Sequence, residues 1–115
     1  MTRARFAEGI AQLHGKVDTA KAFLTGMMSL MDAILDEPIE SVMNKLPLAK
    51  EIKDALVEHQ GVLADYVRLI QFYEQGLWQE ASQNIEQLNL PADKVPDAYH
   101  TAVQWANEQM KALGE

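Results

Sequence analysis

The stretch AFLTGMMSLMDAIL, Ala22 to Leu35, most constrains what this chain can fold into. Its apolar residues recur with helical period on almost every side. Asp18, Thr25, Ser29, Asp32 and Asp36 follow one another at helical spacing and make one narrow polar stripe. Phe23, Leu24, Met27, Met28, Leu30, Met31, Ile34 and Leu35 cover the rest. A helix apolar nearly all round belongs in a core, so the pattern predicts a central core helix. Ala22, Gly26, Ser29 and Ala33 form a seam of small residues where a neighbouring helix can approach closely. Gly26 costs up to about 1 kcal/mol against alanine in a helix interior, and close packing is the expected compensation. Methionines fill the irregular gaps. No apolar run reaches the ~20 residues that a bilayer span needs.

The remaining segments also read as helices. Phe6, Ile10 and Leu13 fall at i, i+4 and i+7, which predicts a first helix from about Arg3 to His14, stopped at Gly15. Asp18 is the expected N-cap of the second, which runs to about Leu35. Pro38 opens a short third helix, PIESVMNKL, which ends before Pro47. A fourth, AKEIKDALVEHQ, runs to Gly61, and a fifth, VLADYVRLIQFYEQ, to Gly76. A sixth, LWQEASQNIEQLN, ends near Pro91. The last runs from about Ala92 to Leu113, with Pro96 disturbing its first turns. No strand pattern survives inspection. The expected fold is all-α, a compact bundle of about six to seven short helices in one domain.

Charge excludes some partners. The chain has 115 residues and a net charge of −7, which opposes binding to nucleic acid or to an anionic membrane surface. The charge is uneven. Up to Lys21, the cations Arg3, Arg5, Lys16 and Lys21 stand against Glu8 and Asp18, a net +2, so the remainder carries −9 of the total −7. There is no cysteine, hence no disulfide, thiol nucleophile or thiolate zinc site. The N-terminus MTRARFAEGIAQLHGK has no apolar h-region, and a cytoplasmic location is expected.

Candidate chemistry is sparse. None of His14, His59 and His100 is followed by Asp, and no HExxH, phosphate loop or nucleophile elbow occurs. Asp32, Asp36, Glu37 and Glu40 make a carboxylate corner that suits a hard cation in principle and reads better as a solvated acidic surface. No metal, cofactor or catalytic residue is expected. The stretch FYEQGLWQEASQNIEQL reads as an αα-hairpin turning at Gly76. It resembles one tetratricopeptide unit, but no repeat recurs. Tyr73, Trp78, Tyr99 and Trp105 read as core and rim aromatics.

Taken together, RARFAEGIA, AFLTGMMSLMDAILDEPIESVMNKLPLAKEIKDAL, the YEQGLWQEA hairpin and LPADKVPDAYHTAVQWA resemble the C-terminal part of an HDOD (HD-related output domain) module. The likeness is greatest to modules joined to an EAL cyclic-di-GMP phosphodiesterase domain, and it covers nearly the whole chain. It implies an all-α fold distantly related to HD metal phosphohydrolases. It also implies a non-enzymatic signal-transduction and protein-interaction role, regulating an EAL domain. The alternative is a remnant of an HD-type metal-dependent phosphohydrolase or a nucleotide-binding module. No catalytic residue carries over. The string nearest to Glu-Ala-Leu is Glu80-Ala81-Ser82, and Ala49 and Pro91 stand where the family usually has serine.

The implied partner is a protein, or an upstream domain of the same parent protein. Phe6, Ile10, Leu13, Tyr73 and Trp78 are the candidate contacts. If the first half of an HDOD module is absent, the face of Phe6, Ile10 and Leu13 is expected to stay uncovered and to be buried in a homodimer. The basic start of the chain would then meet the acidic surface of a second copy. The competing expectation is a closed monomer, with helix one folded back on helix two.

Overall fold

The computed structural model describes residues 2–34 and 49–112. The expected third helix, with Pro38 and Pro47, lies outside the described residues, as do Asp36, Glu37 and Glu40 of the carboxylate corner. Six helices appear among the described residues, and no strand. They are α1 (Thr2–His14), α2 (Thr19–Ile34), α3 (Lys50–Lys53), α4 (Val62–Gln75), α5 (Trp78–Gln87) and α6 (Val95–Ala112). The all-α expectation holds.

The local signals act where they were expected. Gly15 has φ +72° and its N–H closes on the Ala11 carbonyl at 2.8 Å, which ends α1. Asp18 Oδ1 accepts from the Ala20 N–H at 2.8 Å and caps α2. Gly76, at φ +72°, makes the reversal between α4 and α5. The Leu77 N–H reaches the Phe72 carbonyl at 2.9 Å and the Gly76 N–H reaches Tyr73 at 3.3 Å. This paired closure needs a left-handed residue, which glycine adopts without a Cβ penalty. Asn89 repeats the device after α5, at φ +55°. Pro96 sits in the first turn of α6, where its missing N–H removes no helical bond. The first turns expected from Ala92 are therefore not part of the helix.

Two expectations need correction. α3 does not run on to Gly61. It widens into a π-helical turn over Asp54–Glu58 and stops at His59, which is left-handed at φ +57°. Ile52, Ala55 and Leu56 still face the core. Nor is α2 the most enclosed of the described helices: it packs against α1, α3 and α4, but α1, with α2, α4 and α6 packed against it, is more deeply buried. Ala4, Phe6, Ala7, Ile10 and Ala11 are at most 1% exposed, whereas Phe23, Leu24, Met27 and Leu30 of α2 are half-buried. The reason lies in side-chain size. α1 alternates alanines with two large apolar anchors, so three helices can approach its backbone.

The seam on α2 is what brings it to α1. Ala22, Gly26 and Ser29 are buried along it. Two members of the polar stripe are buried there too, Thr25 at 1% and Ser29 at 7% exposure. Their hydroxyls turn back into the helix and donate to the carbonyls of Lys21 and Gly26, each at 2.7 Å. Such back-bonding satisfies the hydroxyl without a partner helix, so a polar stripe can enter a core.

Candidate interaction surface

Phe6 is the inner end of an aromatic cluster. Its ring meets Tyr73 of α4 edge-on at 5.2 Å and Tyr99 of α6 at 5.0 Å. Tyr73 and Tyr99 lie 5.1 Å apart. Trp78, the first residue of α5, stands edge-on against Tyr73 at 5.2 Å. Edge-to-face pairs are favoured because the positive ring edge meets the negative face. The cluster runs outward from a fully buried ring, through two half-buried tyrosines, to a tryptophan 59% exposed. Leu77 beside it is 39% exposed. The Gly76 reversal is what sets Trp78 beside Tyr73. Burial pushes the Tyr73 phenol upward, so it remains protonated and able to donate.

This geometry sorts the candidate contacts. Phe6 and Ile10 are 0% exposed. They are closed in by α2, α4 and α6 of the same chain, so neither is available to a partner. Within this single chain, Phe6 and Ile10 are covered by its own helices. Leu13 is half-buried and lines a groove of about 350 Å³ between α1 and α6, with Arg5, Gly9, Lys94, Asp97 and Thr101. Tyr73 and Trp78 lie together at the open end of the cluster. Periodicity marked which residues are apolar but not which helix would cover them.

The basic start of the chain is used internally. Arg3 Nε and Nη2 donate to the two carboxylate oxygens of Glu74, at 2.8 Å each, while Nη1 donates to the Ser29 carbonyl at 3.2 Å. One side chain thereby ties α1, α4 and α2 together. Arg5 pairs with Glu8 and lies 5.9 Å from the Trp105 ring centre, and Trp105 in turn stacks edge-on with Phe23 at 6.2 Å. Lys21 pairs with Glu51 at 3.5 Å.

His14 packs against Tyr66. Its Nδ1 lies 2.5 Å from the hydroxyl of Tyr66, whose side chain is buried. Burial raises the Tyr66 phenol to about 12. Tyr66 therefore keeps its proton, and its hydroxyl shares one hydrogen bond with the His14 ring. His14 is held below its ordinary value by burial first and by Lys16 second. His59 and His100 are exposed. No group of three or more His, Cys, Asp or Glu stands close enough to hold a metal ion among the described residues. No described helix is long and apolar enough to cross a membrane.

Two curated proteins are similar to the chain. It is 34% identical over 109 residues to the cyclic di-GMP phosphodiesterase CdgJ of Vibrio cholerae, across 94% of this chain and 25% of that protein. It is 30% identical over 112 residues to the uncharacterized protein YuxH of Bacillus subtilis, across 97% of this chain and 27% of that protein. The chain thus spans about a quarter of the length of the curated relatives it matches. No family model matches it, and no solved structure gives a significant match.

Proposed function

We propose that the chain is a non-catalytic, HDOD-type module of bacterial cyclic-di-GMP signalling, the C-terminal part of a larger helical module. It acts in the cytoplasm by contacting an EAL phosphodiesterase domain and changing its output. The observation that carries this reading is similarity along 94% of the chain to a protein named as a cyclic di-GMP phosphodiesterase. The HDOD motifs in the sequence agree with it. The contact surface in this reading is the open end of the aromatic cluster: Trp78, Leu77 and Tyr73.

The physical support for that surface is its cost in water. A tryptophan 59% exposed beside a leucine 39% exposed leaves apolar area hydrated, and covering such area is favourable. Tryptophan and tyrosine also dominate the energetic centres of protein interfaces. Trp78 is held by Tyr73 on one side, so little conformational freedom remains to be lost when a partner covers the other.

Amide chemical-shift mapping tests the surface. On titration of the labelled chain with a purified EAL domain, perturbations should centre on Leu77, Trp78 and Tyr73. Perturbations confined to α2 and α3 would place the contact elsewhere, and none at saturation would dismiss the partner.

A further inference from the structure

The last turn of α4 carries three neighbouring residues with separate tasks. The Phe72 and Tyr73 carbonyls accept from the Leu77 and Gly76 N–H groups, at 2.9 and 3.3 Å, and so hold the reversal into α5. The Tyr73 ring also meets Trp78 edge-on, at 5.2 Å. Glu74 is tied to α1, since Arg3 Nε and Nη2 donate to its two carboxylate oxygens at 2.8 Å each. Arg3 is itself anchored, because Nη1 donates to the Ser29 carbonyl of α2 at 3.2 Å.

This ion pair corrects an electrostatic defect. A helix ends in carbonyls of partial negative charge, so an acidic side chain in its last turn is unfavourable and a basic one favourable. α4 has no basic residue in its last turn, and Glu74 adds a negative charge there. Arg3 supplies the missing positive charge from another helix. The side chains of Arg3 and Glu74 are only 17% and 36% exposed. A forked arginine–carboxylate pair in such a place keeps the geometry and energy that a flexible surface pair loses. Arg3 and Phe6 stand at i and i+3 on α1, and they hold the adjacent Glu74 and Tyr73 of α4. One face of α1 thus grips the end of α4 by charge and by an aromatic edge contact.

We propose that Arg3 is a positioning residue for the Leu77–Trp78 surface. It neutralises the end of α4 and keeps its last turn wound. Through the Phe72 and Tyr73 carbonyls, that turn fixes the direction in which Leu77 and Trp78 leave the reversal. The role of Arg3 in partner binding rests on the reading of this surface as the contact; its role in shaping the surface does not. The two partners of the pair are not equivalent. Loss of Arg3 leaves the Glu74 charge uncompensated against the α4 carbonyls. Loss of the Glu74 charge removes the tie and the repulsion together. Arg3→Met therefore loosens Trp78 more than Glu74→Gln does, and Glu74→Gln repairs part of the damage when added to Arg3→Met.

The test is the heteronuclear NOE of the nitrogen-labelled Trp78 indole in the chain alone, with the Trp105 indole as internal control. The expected result is a loss at Trp78 in Arg3→Met, a smaller loss in Glu74→Gln, and partial recovery in the double variant. Arg3→Lys keeps the charge without the fork and should lie between wild type and Arg3→Met. The Trp105 signal should stay constant. An unchanged Trp78 signal in Arg3→Met, a double variant as loose as Arg3→Met, or equal loss at both indoles would overturn the proposal. In a second arm, affinity for a purified EAL domain should follow the order of the Trp78 signals. Indole signals in the expected order, with no binding by the wild-type chain, would uphold the positioning role and dismiss the EAL contact instead.

Discussion

Gly26 of α2 meets the backbone of Arg3 in α1 directly: a Cβ built on Gly26 would lie 2.6 Å from the Arg3 carbonyl oxygen and 2.9 Å from the Ala4 Cα. Both neighbours are main-chain atoms, so neither can swing aside. Gly26→Ala gains up to about 1 kcal/mol of helix propensity. It must also push α1 away from α2, and overpacking of this kind costs about 1–3 kcal/mol. Urea denaturation should show a net loss of stability. A gain would mean that the two helices part without penalty.

Ala49→Ser should stabilise the protein. Ala49 occupies the N-cap of α3 with φ −60° and ψ 148°, the extended geometry a capping residue adopts, and no side chain accepts from the helix there. A serine hydroxyl at this place is worth about 0.5–2 kcal/mol. The thermal midpoint should rise.

Phe6→Ala and Trp78→Ala should separate cleanly. Phe6 is enclosed, and truncating an enclosed phenylalanine costs about 3–5 kcal/mol. Trp78 loses mainly its edge contact with Tyr73, about 1 kcal/mol. Equal losses in chemical denaturation would show that Trp78 is part of the core rather than a surface anchor.

His14 should make stability depend on pH. Its folded-state value lies below the ordinary 6.5, so the unfolded chain binds the proton more readily. The stabilisation is complete above pH 6.5. It falls as pH drops from 6.5 toward the depressed value, and is constant below that. Lys16→Ala removes the second cause of the depression, and a proton-NMR titration of His14 in that variant should move part of the way back toward 6.5.

Much of the frame was legible because its causes are local. Gly15 and Gly76 end their helices by left-handed backbone, Asp18 caps by a bond two residues away, and the Gly26 seam shows as small residues at helical spacing. The cover of Phe6 was not legible, because Tyr73 and Tyr99 arrive from helices far along the chain. A repeating pattern says which face is apolar and nothing about what lies on it. The same limit hid the Arg3–Glu74 tie and the His14–Tyr66 bond, both made between distant segments. Of the candidate contact residues, Tyr73 and Trp78 could be singled out, because a short Gly76 reversal must bring them together. Burial of Thr25 could not be foreseen, since its hydroxyl is satisfied within its own helix.

The central claim is that the chain contacts a cyclic-di-GMP phosphodiesterase and performs no hydrolysis itself. The most direct measurement is the rate of cyclic-di-GMP hydrolysis, with Mg²⁺ or Mn²⁺, by an EAL domain purified from the organism that encodes the chain. It is followed as the chain is titrated in, with the chain alone as a second arm. The account predicts no product from the chain alone, a saturable change in the EAL rate, and loss of that change in Trp78→Ala. Turnover by the chain alone, or an EAL rate that stays constant at a saturating excess of chain, would contradict it.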